Sequence, residues 1–263
     1  MFRQVRNNGI CYYTVDAFEG AAKHCFTTRE GGVSKDEFAA MNLRFNCADK
    51  RENVLKNFDI ICTEIGIDYK KLVLTNQVHE DIVISVTSKD CGNGILYKNK
   101  FESADALICA ERGVPIAAFF ADCVPIMFLD KKNGVAAVAH SGWKGTVKNI
   151  AANTVDAFVT RYNSRTQDIF AAIGPSIGVC CFEVGDEVGE IFREKFGGGV
   201  LEKREKWHVN LQKAVFEELT GCGIEKKNIT EAGVCTSCNS RLLFSHRASG
   251  GKRGNLAAIM QLV

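Results

Sequence analysis

Three residues in the middle of the chain have side chains suited to binding a transition metal. Cys123 and His140 lie in the stretch FFADCVPIMFLDKKNGVAAVAHSGWKG (119–145), and His79 lies upstream in TNQVHED. Two imidazoles and one thiolate suit a catalytic zinc site, in which three protein ligands leave a fourth position for water or substrate. The residue types therefore predict a metal site, with His79 as the third ligand if its strand end lies alongside the other two.

A β-hairpin would position two of these ligands. Asn-Gly at the tip of residues 131–134 is a turn signal between two apolar runs. With that loop length Pro125 faces His140, and Cys123 lies two positions further along. Diagonal neighbours on one face are about 7–8 Å apart, within reach of one ion. A register slip of one residue would separate the two ligands.

The periodicity of apolar residues predicts an α/β fold. Short apolar runs bounded by turn residues predict strands in 72–86 (one or two strands), 114–120, 125–130, 134–140, 168–174, 232–236 and 255–263. Helical spacing predicts helices at 51–66, 145–162, 186–196 and 209–223. Adjacent strands joined by short turns favour mixed or antiparallel sheets flanked by helices. With no repeat and no Pro/Ser-rich linker, we expect one domain, residues 1–263.

Composition narrows the functional classes. The 46% of hydrophobic residues is ordinary for a globular protein. The net charge is +2, so the protein has no strong positive electrostatic field that would favour binding to nucleic acid or to an anionic membrane. The N-terminus lacks the apolar region of a signal peptide, and no apolar run reaches the roughly 18 residues of a membrane span. We therefore expect a cytoplasmic protein with no nucleic-acid or membrane partner. The twelve cysteines are then reduced thiols, mostly buried.

Three cations are candidates for binding an anionic substrate group. Arg29 stands beside Gly-Gly in FTTREGGVS, Lys144 follows SGW at a predicted helix start, and Arg247 belongs to HRASGGKRG. Glycines let backbone N–H groups approach an anion, and arginine adds a bidentate donor. The alternatives are an ordinary turn for Arg29 and a surface lysine for Lys144. In the last segment Lys252 and Arg253 are further candidates, although its spacing is not that of a Walker loop.

Other cysteines and one carboxylate have structural interpretations. CTSC (235–238) is an isolated C-x-x-C, which is weak evidence for zinc. Cys235 and Cys238 are therefore expected to be structural thiols. Cys180 and Cys181 would point in opposite directions if their segment is extended, which would let one of them line the pocket; the alternative, which we expect, is a buried thiol. Glu183 is a candidate acid or base, with a surface carboxylate as the alternative.

Several motifs together resemble one known family. FTTREGGVS, QVH, ADCVPI, AHSGWKGT, IGPSIGVCCFEV and FSHRASGGKRGNLAAI are similar to the ordered motifs of the multicopper polyphenol oxidase (laccase) domain family, also described as laccase-domain purine nucleoside phosphorylases. The resemblance implies an α/β fold with mixed sheets and a zinc ion held by His79, Cys123 and His140. The sequence departs from the family pattern at Lys144, where Arg is common, and in MNLRFNCAD, which lacks a usual Gly. It also departs at Ser176 (usually Cys) and His246 (usually Tyr).

The function implied by this resemblance is zinc-dependent phosphorolysis of purine nucleosides (adenosine, inosine, methylthioadenosine), with adenosine deaminase activity. Cys123 and His140 would be catalytic, and Arg29, Lys144 and Arg247 would bind substrate, namely purine nucleoside and phosphate. Zinc is preferred to copper, because five histidines are too few for a multicopper centre. The alternatives are a copper-dependent polyphenol oxidase, a Cys–His hydrolase acting on cell-wall precursors, and a structural zinc protein.

Overall fold

Strands and helices alternate irregularly in the computed structural model, which describes residues 1–263. The strands are β1 (Phe2–Asn7), β2 (Ile10–Val15), β3 (Ala22–Thr27), β4 (Val73–Leu74), β5 (Val83–Ser85), β6 (Ala106–Cys109), β7 (Ile116–Phe120), β8 (Val124–Asp130), β9 (Val135–Ser141), β10 (Ile169–Ile173), β11 (Glu183–Val184), β12 (Leu201–Lys203), β13 (Trp207–Val209), β14 (Ile229–Glu231) and β15 (Leu256–Leu262). The helices are α1 (Arg51–Glu64), α2 (Trp143–Val147), α3 (Ile150–Tyr162), α4 (Asp186–Phe196), α5 (Leu211–Gly221) and α6 (His246–Ser249).

These strands form three sheets. The first has the order β1-β2-β3-β15-β7-β4, the second β14-β10-β8-β9-β6-β5, and the third β11-β13-β12. Most pairs are antiparallel, but β4–β7, β5–β6 and β10–β14 are parallel. The predicted fold class, α/β with mixed sheets flanked by helices, is confirmed.

The two large sheets pack face to face and are covered by helices on their outer sides. Along β8, Met127 and Leu129 belong to the apolar cluster between the sheets, whereas Ile126 and Phe128 belong to the cluster shared with α3 and α5. On the outer side of the first sheet, α1 packs Phe58 against the strands. Strands buried on both faces have continuous apolar sequences, which explains why PIMFLD shows no alternation.

The β8–β9 hairpin has the predicted register. Pro125 pairs with His140 and Asp130 with Val135. The carboxylate of Asp130 accepts hydrogen bonds from the backbone N–H groups of Lys132 (2.9 Å) and Asn133 (3.1 Å). This local turn chemistry fixes the loop length and therefore places Cys123 and His140 at the same end of the hairpin.

Some predicted elements differ from those observed. The helix expected at 145–162 is interrupted at Asn149, which has a left-handed φ of 68°. Lys195 donates to the backbone carbonyl of Val147 at this break. The strand expected at 232–236 was wrong: the strand β14 ends at Glu231, and the segment after it is irregular. The run 72–86 contains two short strands, β4 and β5, and the loop between them carries His79. No helix has the length and apolar character needed to cross a membrane.

A buried carboxylate on α5 should make stability depend on pH. Glu218 is 9% exposed, and one of its oxygens accepts from the Ala152 N–H at 2.8 Å while the other has no partner. Burial raises the pKa of Glu218 to about 7, against the opposing effects of that hydrogen bond and of Lys195. The folded state therefore binds a proton more tightly than the unfolded chain, and this contribution to stability falls as pH rises from about 4.5 to about 7.

We expect Glu218→Gln to remove this pH dependence, because glutamine keeps an acceptor for Ala152 and carries no charge. Between pH 4.5 and pH 8 the stability of the variant relative to wild type should increase by up to about 3 kcal/mol. Urea unfolding across this pH range measures the difference. Glu217→Gln, at a partly exposed position on the same helix, is the control and should leave the pH profile unchanged. Parallel profiles for Glu218→Gln and wild type would contradict the prediction.

Candidate metal centre

His79, Cys123 and His140 come together at one end of the β8–β9 hairpin. One ligand atom from each lies within 4.8 Å of those of the other two. Cys123 directly precedes β8, His140 is the penultimate residue of β9, and His79 projects from the loop between β4 and β5. The ring centroids of the two histidines are 4.8 Å apart. A sulfur and two imidazole nitrogens at this spacing are suitable donors for one metal ion.

Asp105, just before β6, holds both histidines in place. Its buried carboxylate accepts from Nδ1 of His140 at 2.9 Å and from the backbone N–H of His79 at 3.2 Å. The N–H groups of Val78 and Glu80 donate to its other oxygen, each at 3.0 Å. Because Nδ1 of His140 is engaged in this way, Nε2 is the nitrogen available for a metal, an arrangement typical of metal-binding histidines.

Burial and nearby charges shift the pKa values of the two histidines in opposite directions. Burial alone would lower the pKa of His140, but the Cys123 thiolate and the hydrogen bond to Asp105 outweigh burial and raise the pKa to about 9. The pKa of His79 is lowered by burial, and the positive charges of His140 and Lys144 add to this effect. Binding of a metal cation at this cluster would therefore displace a proton.

Gly142, at the N-terminus of α2, leaves room for the cluster. A Cβ atom at this position would lie 2.6 Å from Nδ1 of His79 and 3.1 Å from Sγ of Cys123. Its φ of −73° is open to any residue, so the requirement for glycine comes from the space that the two ligands occupy.

The backbone beside Cys123 is held in an unusual conformation. Asp122 has a φ of 94°, in the left-handed region that non-glycine residues rarely adopt. Its carboxylate accepts from the Thr236 hydroxyl at 2.6 Å and from the Arg247 N–H at 2.7 Å, and its carbonyl accepts from the Ile177 N–H at 2.8 Å. Backbone strain held by several surrounding contacts is common at functional sites. The sequence places Asp122 next to Cys123 and makes it, with His24, a candidate for orienting a metal ligand. Neither side chain bonds to one, because Asp122 bonds to Thr236 and Arg247 and His24 bonds to Val15 and Ala22.

A cavity of about 750 Å³ opens onto the three ligands. This volume is within the range of about 300–1,000 Å³ typical of small-molecule sites. Its lining includes the rings of Phe45, Tyr97 and Phe119 together with His79, Cys123 and His140. Aromatic rings offer stacking surfaces to a flat, partly apolar ligand.

Arginines in this cavity have no carboxylate partner. Arg44 and Arg253 both line it, and neither guanidinium forms an ion pair. Burial lowers the pKa of Arg253, and the positive charge of Arg44 lowers it further. Nε of Arg253 is buried without a partner. A third arginine, Arg51, lies over the Phe45 ring at 4.6 Å and donates to a backbone carbonyl.

The cations predicted to bind substrate occupy other surroundings. The guanidinium of Arg29 donates to the carbonyls of Ala39 (2.7 Å) and Ser240 (2.9 Å). Arg247 donates to the carbonyls of Cys181 (2.8 Å) and Glu183 (2.9 Å). Neither lines the large cavity.

Lys144 also lies outside that lining, at 5.6 Å from the Trp143 ring, although its charge reaches His79. Glu183, the candidate acid or base, is exposed and pairs with Lys206 at 2.8 Å. Arg44 and Asp105 had no local sequence signal, whereas Arg253 lies in the basic segment already considered for phosphate.

Comparison with known proteins gives these features a family context. A family profile described as multi-copper polyphenol oxidoreductase laccase matches residues 23–263. Purine nucleoside phosphorylase YlmD of Bacillus subtilis (strain 168) is 33% identical over 240 residues, covering 89% of this chain and 86% of that protein. Adenosine deaminase RL5, from an unknown prokaryotic organism, is 33% identical, covering 87% and 90%.

A solved structure agrees in fold over the entire chain. The crystal structure of the Bacillus licheniformis hypothetical protein YfiH superimposes with a TM-score of 0.93 at 30% identity, covering 100% of this chain and 99% of that one. The profile match spans most of the chain and includes all three residues of the cluster. The chain therefore belongs to the multi-copper polyphenol oxidoreductase laccase family.

Proposed function

We propose that this protein is a zinc-dependent purine nucleoside phosphorylase that also deaminates adenosine. The observation that carries the proposal is one cavity containing the His79–Cys123–His140 cluster, aromatic residues and three arginines without carboxylate partners. The names of the relatives, a purine nucleoside phosphorylase and an adenosine deaminase, support the same pair of reactions.

In phosphorolysis the chain has to bring phosphate to the ribose. An oxygen of phosphate forms a bond to C1′, the C1′–N9 bond breaks, and its electron pair leaves with the purine, which then takes up a proton. Arg44 and Arg253 would hold the phosphate, because guanidinium groups bind phosphate oxygens through paired N–H donors. Phe45 and Phe119 would contact the planar base. Substrate binding by Arg29, Lys144 and Arg247 stays a prediction.

His79, Cys123 and His140 would hold the zinc. When bound, the metal would supply Lewis acidity on the side of the site that faces the cavity. Asp105 would keep the proton of His140 on Nδ1, which would leave the lone pair of Nε2 for the metal. The cluster contains no further histidine, which favours one ion over a multicopper centre. In deamination, water would add its oxygen at C6 of adenosine and the amino group would leave as ammonia.

The test of this proposal is release of free base from adenosine, inosine and methylthioadenosine by the zinc-loaded protein. Free base and the sugar 1-phosphate (ribose 1-phosphate, or 5-methylthioribose 1-phosphate from methylthioadenosine) should form only when phosphate is present, and inosine should form from adenosine without it. We expect Arg44→Ala and Arg253→Ala to raise the KM for phosphate by about 10-fold or more, since each removes a charge-assisted contact. Arg112→Ala, at an exposed position outside the cavity, is the control. Absence of turnover with all three nucleosides would overturn the proposal.

A second candidate, a Cys–His hydrolase, rests on the arrangement of Cys123, His140 and Asp105. The Cys123 sulfur and an imidazole nitrogen of His140 lie within 4.8 Å, and Asp105 accepts from the other ring nitrogen. A nucleophile, a base and an orienting carboxylate in this order are typical of cysteine hydrolases. Activity in metal-free protein, lost on alkylation of Cys123, would favour this reaction over the metal-dependent one.

Gly142→Ala provides an independent test of the metal site. The added methyl group would overlap His79 and crowd Cys123, so we expect zinc affinity to fall at least about 10-fold, as when ligand geometry is perturbed. Gly145→Ala is the control, because the nearest atom to a Cβ there is at 3.4 Å. Zinc affinity would be measured by competition with a chelating dye. Equal affinities in the two variants would argue against His79 and Cys123 as shared ligands.

A further inference from the structure

Four cysteines outside the candidate metal centre bring their sulfur atoms together. The Sγ atoms of Cys180, Cys181, Cys235 and Cys238 all lie within 4.8 Å of one another. Cys238 is 3.5 Å from Cys180 and 3.5 Å from Cys181, sulfur to sulfur. All four are free thiols. Two loops, more than fifty residues apart in the sequence, each supply two of these cysteines.

The first loop places two adjacent side chains on the same side. Residues 179–181 form a turn in which the N–H groups of Cys181 and Phe182 both donate to the Gly178 carbonyl at 3.0 Å. Cys180 and Cys181 would point in opposite directions only on an extended segment, and this segment is a turn instead. The second loop, 235–238, is a C-x-x-C turn.

Backbone groups are already arranged around the sulfur atoms. The N–H groups of Gly178 and Cys238 donate to Sγ of Cys235 at 3.2 and 3.5 Å. Such donors stabilise a thiolate and are a common surrounding of metal-bound cysteines. A Cβ at Gly178 would lie 3.2 Å from the sulfur of Cys180 and 3.5 Å from that of Cys235. Glycine at this position leaves space for the sulfur atoms to approach each other.

We infer that Cys180, Cys181, Cys235 and Cys238 bind one zinc ion as a structural site. In a tetrahedral zinc site with Zn–S bonds of about 2.3 Å, the sulfur atoms are about 3.8 Å apart. The observed sulfur–sulfur distances range from 3.5 Å to at most 4.8 Å, so they include this value. An iron–sulfur cubane would hold its cysteines farther apart, because four irons lie between them. Four protein ligands leave no open position, so the site has no place for a substrate.

Two arginines offset the negative charge of four thiolates on a divalent ion. Arg247 donates to the carbonyl of Cys181 at 2.8 Å, and Arg204 to that of Cys180 at 3.5 Å. Both guanidinium groups therefore lie beside the loop that supplies half of the ligands. Stabilising this zinc site is therefore an alternative role for Arg247, which the sequence predicts to bind substrate.

The zinc would join the segment after β10 to the segment after β14. These segments also meet through the backbone, where Thr236 donates to the Ser176 carbonyl at 3.0 Å. Thr236 in turn donates to Asp122, the residue before Cys123. Loss of this zinc should therefore loosen the support of the catalytic cavity as well as lower the melting temperature.

Metal content of purified protein, prepared with reductant and zinc, tests the inference. We expect two zinc ions per chain in wild type, one in Cys235→Ser or Cys238→Ser, one in Cys123→Ala, and none in Cys123→Ala combined with Cys235→Ser. Cys222→Ser, a thiol outside both clusters, should retain two. The Cys238→Ser variant should melt about 5–10 °C below wild type.

Cobalt spectroscopy covers the case in which a variant folds poorly. Titration of Co²⁺ into apo Cys123→Ala should give the intense absorption of a tetrahedral tetrathiolate site. Zinc content that Cys235→Ser and Cys238→Ser leave unchanged, a disulfide among these cysteines in reduced preparations, or bound iron would overturn the inference. Because the readout is metal content, these outcomes do not depend on whether nucleosides are turned over.

Discussion

Substitution of Cys123 by alanine is expected to remove the metal from the candidate centre and to lower kcat/KM for nucleoside phosphorolysis by on the order of 10³-fold. The candidate centre offers three donor side chains, and the thiolate would be the only anionic ligand. Its removal leaves two imidazoles. Metal binding must displace a proton from this cluster, and two neutral ligands bind the metal too weakly to compete with that proton. The variant should retain its fold, because Cys123 is partly exposed at a strand end.

The measurements are metal content and steady-state kinetics on the same preparations. Cys222→Ala is the matched control, since Cys222 is also a partly buried free thiol but lies outside both cysteine-containing clusters. It should retain wild-type zinc content and activity. Unchanged metal content in Cys123→Ala, with activity lost, would instead assign Cys123 the role of a nucleophile.

Local sequence predicted the hairpin because its geometry is set within about twenty residues. The Asn-Gly turn fixes the loop, and the two-residue period of a strand fixes which side chains face each other. The pairing of Pro125 with His140 is confirmed at that register. The position of His79 depends on a longer-range contact, with Asp105, and spacing alone did not predict it.

The residues that the sequence did not reveal are brought together by the tertiary fold. Arg44 and Arg253 are about two hundred positions apart, and they share a cavity where the Leu43 N–H donates to the Asn255 carbonyl at 3.0 Å. The cysteine pairs at 180–181 and 235–238 each had a weak local pattern, and two loops had to meet before four sulfur atoms formed one cluster. In the sequence, an arginine or cysteine that belongs to such a site cannot be distinguished from one that does not.

Asp105 illustrates this limit and carries the second large prediction. It stands in ESADALIC among other small and acidic residues, yet its carboxylate accepts four hydrogen bonds and is fully buried. We expect Asp105→Asn to weaken metal binding by about 10–100-fold. It should also destabilise the fold by about 3 kcal/mol, since buried donors would lose their acceptor. Dye competition measures the first effect, and urea unfolding of the metal-free protein measures the second.

Either orientation of the asparagine amide leads to this result. If its nitrogen faces the loop, two backbone N–H groups, of Val78 and Glu80, meet a donor in place of an acceptor. If its nitrogen faces His140, the imidazole must accept at Nδ1 and carry its proton on Nε2, the atom needed for the metal. Asp81→Asn, which removes the same charge from a carboxylate bonded to Asn153 and to no histidine, should leave metal affinity unchanged. If Asp105→Asn destabilised the chain but bound zinc as tightly as wild type, Asp105 would support only the loop. The tautomer of His140 would then be set without it.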